Sequence, residues 1–484
     1  MNIGVQTTQS QFGVGYINSL VMVTNGDVYI GAADNVSTAG NNATSLISST
    51  ALVSLSYLSP NVFFASGQST TTYMPVSTQL LSTLVASTGI APTFCNLTAN
   101  WRGRLILTQD TNNPQNVYAS RLGVFNDFNY AALNDPAAAW AANFSESGQI
   151  GEPITAFIPF NDDLAVVSCI NSVWLIEGDP SDGGSFVKLS DAMGIVGPRA
   201  WVTDAAHTLY FVGTSGLYSL RPFWAQYQAP QNLTDKSWQQ FFQSIDRNQN
   251  SITLVYDELN QYINIFVTPY NSVTGGVHLI FDIRNGGLWP VQYGGDIGPA
   301  TAVSFVPGYA LPSVDSTGFP IGPTVPQQTI ALGGFSSCVY QIDPNTVFDY
   351  AVAGNFAISS FANFQAVNPL PGRMGIAHAI EMDMGELPPP YAAWNAVITL
   401  KSGAVAADVS DDISYPTRDT TVNSTAYLQW SASTGLDRRQ VVFRPRLGGA
   451  WFGLQIGNST ASTTWSFEQA AITFAESGYN RYRR

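Results

Sequence analysis

Leu20-Val21-Met22-Val23-Thr24-Asn25-Gly26-Asp27-Val28-Tyr29-Ile30-Gly31 places two apolar runs on either side of Asn-Gly. Asn and Gly tolerate the left-handed backbone of a type I′ turn, whose twist matches that of paired antiparallel strands, so the stretch predicts a β-hairpin. Its second arm carries an element that recurs: a turn-type or small residue, an aliphatic, then an aromatic. Further copies are Asn61-Val62-Phe63, Asn116-Val117-Tyr118, Ser172-Val173-Trp174, Gly216-Leu217-Tyr218, Gly287-Leu288-Trp289 and Cys338-Val339-Tyr340. From Val28 to Val339 the copies stand about 52 residues apart on average, with steps of about 34 to 71, close to a four-stranded propeller blade with loop insertions.

The context repeats with the pair. Leu164 to Ser168 turns into Val173 to Glu177, and Thr208 to Val212 turns into Gly216 to Leu220. Ser251 to Tyr256, Tyr262 to Val267 and His278 to Ile283 read as consecutive strands. The fold expected is all-β: a propeller of about 6–8 blades with insertions, followed by a C-terminal β-sandwich-like domain. An N-terminal arm is expected over 1–19, the propeller body over 20–365 with loop insertions at 123–150 and 290–327, and a Pro/Gly linker over 366–374. The sandwich, over 375–484, draws on six short strand patterns between Ala377 and Phe474 and ends in a basic tail. Helix is expected at 234–245, where Trp238, Phe241, Phe242 and Ile245 have helical spacing behind a Thr234 or Asp235 cap. A short helix is also expected from Asp135-Pro136 to Trp140.

Composition supports β structure. In 484 residues, 45% are hydrophobic and only 11% charged, which excludes a disordered chain and long solvated helices. The net charge of −14 disfavours a protein whose task is to grip phosphates. Charge is also segregated: residues 438–484 hold seven arginines against two acids, a net of +5, leaving −19 on residues 1–437. Arg438, Arg439, Arg444, Arg446, Arg481, Arg483 and Arg484 are therefore the candidate docking interface, since guanidinium groups pair bidentately with carboxylates of a neighbour. Three cysteines cannot form a disulfide framework. No secretory signal pattern or apolar run long enough to span a membrane is read, so synthesis in a cytoplasm is expected.

Residues with catalytic potential are sparse. His207, His278 and His378 have no ligand-spaced partners, so no metal site is expected, and no phosphate or dinucleotide fingerprint calls for a cofactor. Asp162-Asp163, Asp257-Glu258, Asp411-Asp412 and Glu381 with Asp383 are the carboxylate pairs a propeller glycosidase would need. Each falls at a predicted turn or exposed strand, and residues 122–198 lack the arginine that a sialidase-like site requires. The chain reads as a non-enzyme. A lectin-like module stacking sugars on Trp174, Trp289 or Trp451 is the alternative.

Taken in order, Asn116-Val117-Tyr118-Ala119-Ser120 with Phe125-Asn126-Asp127-Phe128-Asn129, then Gly151-Glu152-Pro153-Ile154-Thr155-Ala156-Phe157-Ile158-Pro159-Phe160, Asp163 to Val167 and Val173 to Gly178 form a distinctive series. Gly194-Ile195-Val196-Gly197-Pro198-Arg199, Leu209-Tyr210-Phe211, Leu279-Ile280-Phe281-Asp282, Ile380 to Gly385 and Val409-Ser410-Asp411-Asp412 continue it. The series resembles the tail nozzle, or tail hub, proteins of short-tailed bacteriophages, also called packaged-DNA stabilisation proteins, over roughly 100–290 and 373–475. Ile413-Ser414-Tyr415 departs from that pattern, where the family has Gly-Gly and Trp, and the first 100 residues match little of it. The resemblance implies a structural virion protein of the tail: a homo-oligomeric ring, expected as a hexamer, that retains packaged DNA and conducts it at ejection. Its implied partners are its own copies, the adaptor/portal side of the tail, tail fibres or spikes, and genomic DNA passing without sequence-specific contact.

Overall fold

In the computed structural model, the described residues are all except 1, 10–15, 25–26, 33–34, 39–45, 48–51, 133, 146–147, 222–229, 236–237, 271–275, 292, 294–298, 306–312, 315–319, 322–327, 335–338, 343–347, 352–353, 358–359, 385–392, 407–408, 410–423, 434–438, 459–468 and 480–484. The chain divides into two compact units, one of residues 1–291 and 296–343, the other of 292–295 and 344–484.

Among the described residues, the first unit is a β-propeller of seven blades, six with four antiparallel strands and the last with three. Blade 1 comprises Asn2–Gln9, Tyr16–Thr24, Asp27–Ala32 and Asn35–Thr38. The innermost strands of blades 2 to 7 are Ser54–Leu58, Cys95–Trp101, Ala156–Pro159, Trp201–Thr203, Asn250–Asp257 and Pro299–Phe305. The inner strands of blades 1 and 7 lie side by side, which closes the ring. Each blade is a meander, its strands paired in sequence order, as in Val23 opposite Val28 within the opening hairpin.

Blade 4 shows why its central strands read as continuous apolar runs. Side chains alternate across a sheet, and here both faces are covered. Ala156, Ile158, Val166 and Leu175 pack with Leu209 and Phe211 of blade 5. Their alternates Phe157, Ala165, Val167, Trp174 and Ile176 pack with Leu97, Trp101 and Ile106 of blade 3. At Val117, Val173 and Leu217 the recurring aliphatic lies at the start of the third strand of its blade and is wholly buried, whereas Val62 lies on a second strand and Leu288 on a fourth.

Several expectations are corrected. Residues 1–19 are no arm: Asn2–Gln9 pairs along its length with Tyr16–Val23 as the inner strand of blade 1. Its many polar residues hide the alternation of Ile3, Val5 and Thr7. The 123–150 segment is not a free insertion either. Asp127-Phe128 pairs with Thr88-Gly89, and Trp140–Ala142 is the outer strand of blade 3, pairing with Val117–Ala119. The 290–327 segment supplies the inner strand of blade 7. Asp135 begins a turn rather than a helix, its carboxylate accepting the Ala137 amide at 2.9 Å. The later helix spans only Gln239–Ser244 with no side-chain cap, because Thr234 Oγ1 accepts the Leu217 amide instead. Its apolar face does form, with Phe242 buried and Trp238, Phe241 and Ile245 packed around it.

The second unit contains two four-stranded antiparallel sheets. Ser360–Asn363, Trp451–Asn458, Ala393–Gly403 and Ser424–Ser433 make one. Arg373–Met384 runs through the other, with Arg439–Phe443 and Leu447–Gly449 on one side and Gln469–Tyr479 on the opposite side. Ala377, Ile380 and Met382 from one sheet share a core with Ile398, Leu400, Leu454 and Ile456 from the other. The unit begins before 366–374, which is no linker: Val367 exchanges two backbone hydrogen bonds with Phe452. The Pro/Gly content there makes the turn that leads into Arg373.

Candidate functional site

Arg444 and Arg446 are both exposed and, with Pro445 between them, make the short connection between Arg439–Phe443 and Leu447–Gly449. Arg439 opens a strand that pairs with Arg373–Met384 and, among the described residues, is an edge of its sheet. Val442 on that edge is 49% exposed. Arg438, Arg481, Arg483 and Arg484 lie outside the described residues, as do Cys338 and the Asp411-Asp412 pair.

Two of the remaining carboxylate pairs serve local structure. Asp257 holds the tight turn after its strand through Asn260. Asp163 sits 3.6 Å from Arg102, whose guanidinium also donates to the Asp162 carbonyl. Glu381 and Asp383 lie on one strand, Glu381 exposed and Asp383 half-buried. Among the described residues no cluster of His, Cys, Asp or Glu has the arrangement to hold a metal ion. No helix among them is long and apolar enough to cross a membrane. Of the tryptophans considered for sugar stacking, Trp174 is buried, Trp451 half-buried, and Trp289 is 37% exposed with its edge against Tyr262.

Two arginines that sequence reasoning did not single out have fixed hydrogen-bond partners inside the propeller. Arg104 is fully buried in the strand Arg104–Asp110. Its Nε donates to Asp179 at 2.9 Å, one Nη to the Ser120 and Ala138 carbonyls at 2.8 and 2.7 Å, and the other to Pro136 O and Ser181 Oγ. Burial lowers its pKa, and Asp179 opposes that shift. The group fastens the 135–138 turn of blade 3 to the Asp179–Ser181 turn of blade 4. An arginine opening the run Leu105-Ile106-Leu107 was the available signal, because a charge in a buried strand requires a complete set of partners.

Arg199 lines an axial cavity of about 580 Å³ bordered by the inner strands of blades 2 to 7 and open to solvent. Its Nη1 donates to Thr301 Oγ1 at 2.8 Å and its Nη2 to the Val53 carbonyl at 3.3 Å. No carboxylate pairs with it among the described residues, and burial alone pulls its pKa down to about 10, so it stays cationic at neutral pH. Leu55, Leu97, Phe157, Val202 and Leu254 make the walls apolar. Asn100 and Gln328 contribute side-chain oxygens that are buried and have no hydrogen-bond partner among the described residues.

No family model matches this sequence, and no curated protein does. Solved structures do resemble the fold. A chain of the mitotic checkpoint complex aligns with a TM-score of 0.40 and 10% identity, over 67% of this chain and 87% of that one. The β-propeller domain of Cps50 (Swd1) from Myceliophteria thermophila aligns at 0.38 and 9%, over 70% and 99%. The extracellular domain of a hybrid two component system from B. thetaiotaomicron aligns at 0.38 and 9%, over 80% of this chain and 44% of that one.

Proposed function

We propose that the chain is a non-catalytic structural component of a bacteriophage tail, the subunit of a nozzle ring that retains packaged DNA and conducts it at ejection. The reading rests on one observation: the part of the series from Asn116 to Asp282 that resembles the nozzle proteins runs through blades 3 to 6. Gly151 to Phe160 leads into and through the inner strand of blade 4, and Val173 to Gly178 is its third strand and following turn. Leu209-Tyr210-Phe211 and Leu279-Ile280-Phe281-Asp282 occupy central strands of blades 5 and 6. The resemblance thus lies in the scaffold itself.

Charge fits that role. An acidic wall repels a duplex and lets it slide. The basic C-terminal stretch is then the docking surface for an acidic neighbour, with Arg444 and Arg446 standing exposed beside an edge strand that another chain can extend. In this reading the subunit is assembled in the bacterial host's cytoplasm and ends in the virion.

Negative-stain imaging and native mass spectrometry of the purified full chain, with a reconstruction of the tail, test the proposal. A closed ring of six copies below the portal is expected; isolated monomers on the capsid surface would overturn it. Replacing Arg439, Arg444 and Arg446 with Ser is expected to abolish assembly while circular dichroism stays unchanged. Normal assembly with altered DNA retention would instead place these arginines on DNA.

A further inference from the structure

We propose that the apolar rim of blades 2 and 3 is the surface on which a second copy of this chain docks, through its Arg444-Pro445-Arg446 turn and the edge strand before it. The inference rests on the ring reading above and names the two surfaces that meet.

Exposed apolar side chains gather where two segments of the rim pair. Thr88-Gly89 lies parallel to Asp127-Phe128. Around them Val85 and Ile90 are 71% and 80% exposed, and Leu122 and Val124 are exposed as well. The segments are held from below: Phe128 is fully buried, and the Phe125 ring packs on Phe63 and Tyr73 with centroids 5.4 and 5.2 Å apart. Residues 35–101 contain no charged side chain at all. Anchored, exposed, apolar and free of charge is the composition of an interface core.

Charge selects the occupant. Leu122 also borders a notch of about 670 Å³ lined by Arg102, Asp135, Asp162, Asp179 and Asp182. Asp179 is paired with Arg104, Asp135 with Arg121 at 2.6 Å, and Arg102 faces Asp163 at 3.6 Å. No ion pair among the described residues includes the exposed Asp162 or Asp182. The matching combination stands on the same chain with the opposite sign. Val442 is exposed on its edge strand, and the turn after it carries Arg444 and Arg446, which join no ion pair among the described residues either. Pro445 fixes its own φ between them, so presenting the two guanidinium groups costs less entropy. Each surface thus sets an apolar lip beside uncompensated charge, and guanidinium suits carboxylate. Because the two surfaces differ, the contact is heterologous, the kind that generates closed rings.

Sedimentation velocity of the full chain over a range of concentrations reads the contact, with circular dichroism checking that each variant folds. Asp162→Arg with Asp182→Arg, and separately Arg444→Asp with Arg446→Asp, are each expected to raise the apparent dissociation constant by about a hundredfold or more, because like charges then meet. An equal mixture of these two variants is expected to associate again, since every junction in an alternating ring pairs opposite charges. Leu122→Gln is expected to weaken association by about tenfold. A charge variant that assembles like the native chain, a mixture that does not recover, or Leu122→Gln without effect would each overturn this contact and leave the ring reading standing. A native chain that stays monomeric at every concentration would overturn both.

Discussion

Replacing Arg104 with Met removes a charge but keeps most of the side chain's length, so the loss is electrostatic rather than a cavity. In the native protein its five N–H groups meet Asp179, Ser181 and the carbonyls of Ser120, Pro136 and Ala138. The substitution leaves Asp179, only 6% exposed at its side chain, without its nearest counter-charge. Removing one partner of a buried ion pair costs about 3–5 kcal/mol. Each orphaned carbonyl adds about 1–3 kcal/mol unless water reaches it. Some water entry is expected beside the 135–138 turn, so a net loss of about 4–6 kcal/mol follows from these two terms. Because two units are present, a single unfolding free energy is poorly defined, and local exchange is the better assay. Hydrogen–deuterium exchange over residues 134–145 is expected to accelerate by about a thousandfold, with blade 6 unaffected. Exchange at 134–145 accelerated less than about tenfold would refute the idea that this guanidinium fastens blade 3 to blade 4.

His278 is stacked on Phe266 with ring centroids 4.2 Å apart, and burial lowers its pKa to about 3. The unfolded chain therefore binds its proton first, so stability is intact above about pH 6.5 and falls at about 1.4 kcal/mol per pH unit toward pH 3; acid denaturation of His278→Gln should show that slope reduced. The Cys95 and Cys169 thiols are buried and their pKa values are pushed up to about 12 and about 11, so mass-mapped alkylation is expected to spare both until denaturant is added. At Gly89 the backbone has φ +73° and an added Cβ would lie 2.0 Å from the Phe128 carbonyl oxygen. Gly89→Ala should detach the Asp127-Phe128 strand, seen as faster proteolysis within 123–132 and a lower melting temperature.

The blades were legible in the sequence wherever both faces of a strand are buried. Leu164 to Ser168 and Val173 to Glu177 form strands with those bounds, because continuous apolar runs between turn residues leave few alternatives. Blade 1's inner strand was not legible, since Asn2-Ile3-Gly4-Val5-Gln6-Thr7 carries too little apolar character. The Asp135 segment misled for a different reason. Local capping chemistry is the same in a turn and a helix, and here the carbonyls of 136–138 bond Arg104 rather than later amides. The axial cavity was hidden because its lining comes from six strands far apart in sequence. Arg199 stood within a quoted motif, yet nothing in one sequence says that it meets Thr301 and Val53.

Among the described residues, every four-stranded blade is assembled from a contiguous stretch of chain, and no strand from the far end of the propeller completes blade 1. Contacts within a blade are therefore local in sequence, while the seam between the inner strands of blades 1 and 7 joins segments from opposite ends of the propeller. Low contact order favours fast formation of each sheet, with ring closure as the slow step. During synthesis the blades can accrete in order as they emerge, each new sheet burying the exposed face of the one before. Until blade 7 arrives, the growing arc ends in an open apolar flank, which is the interval in which the chain is most exposed to aggregation.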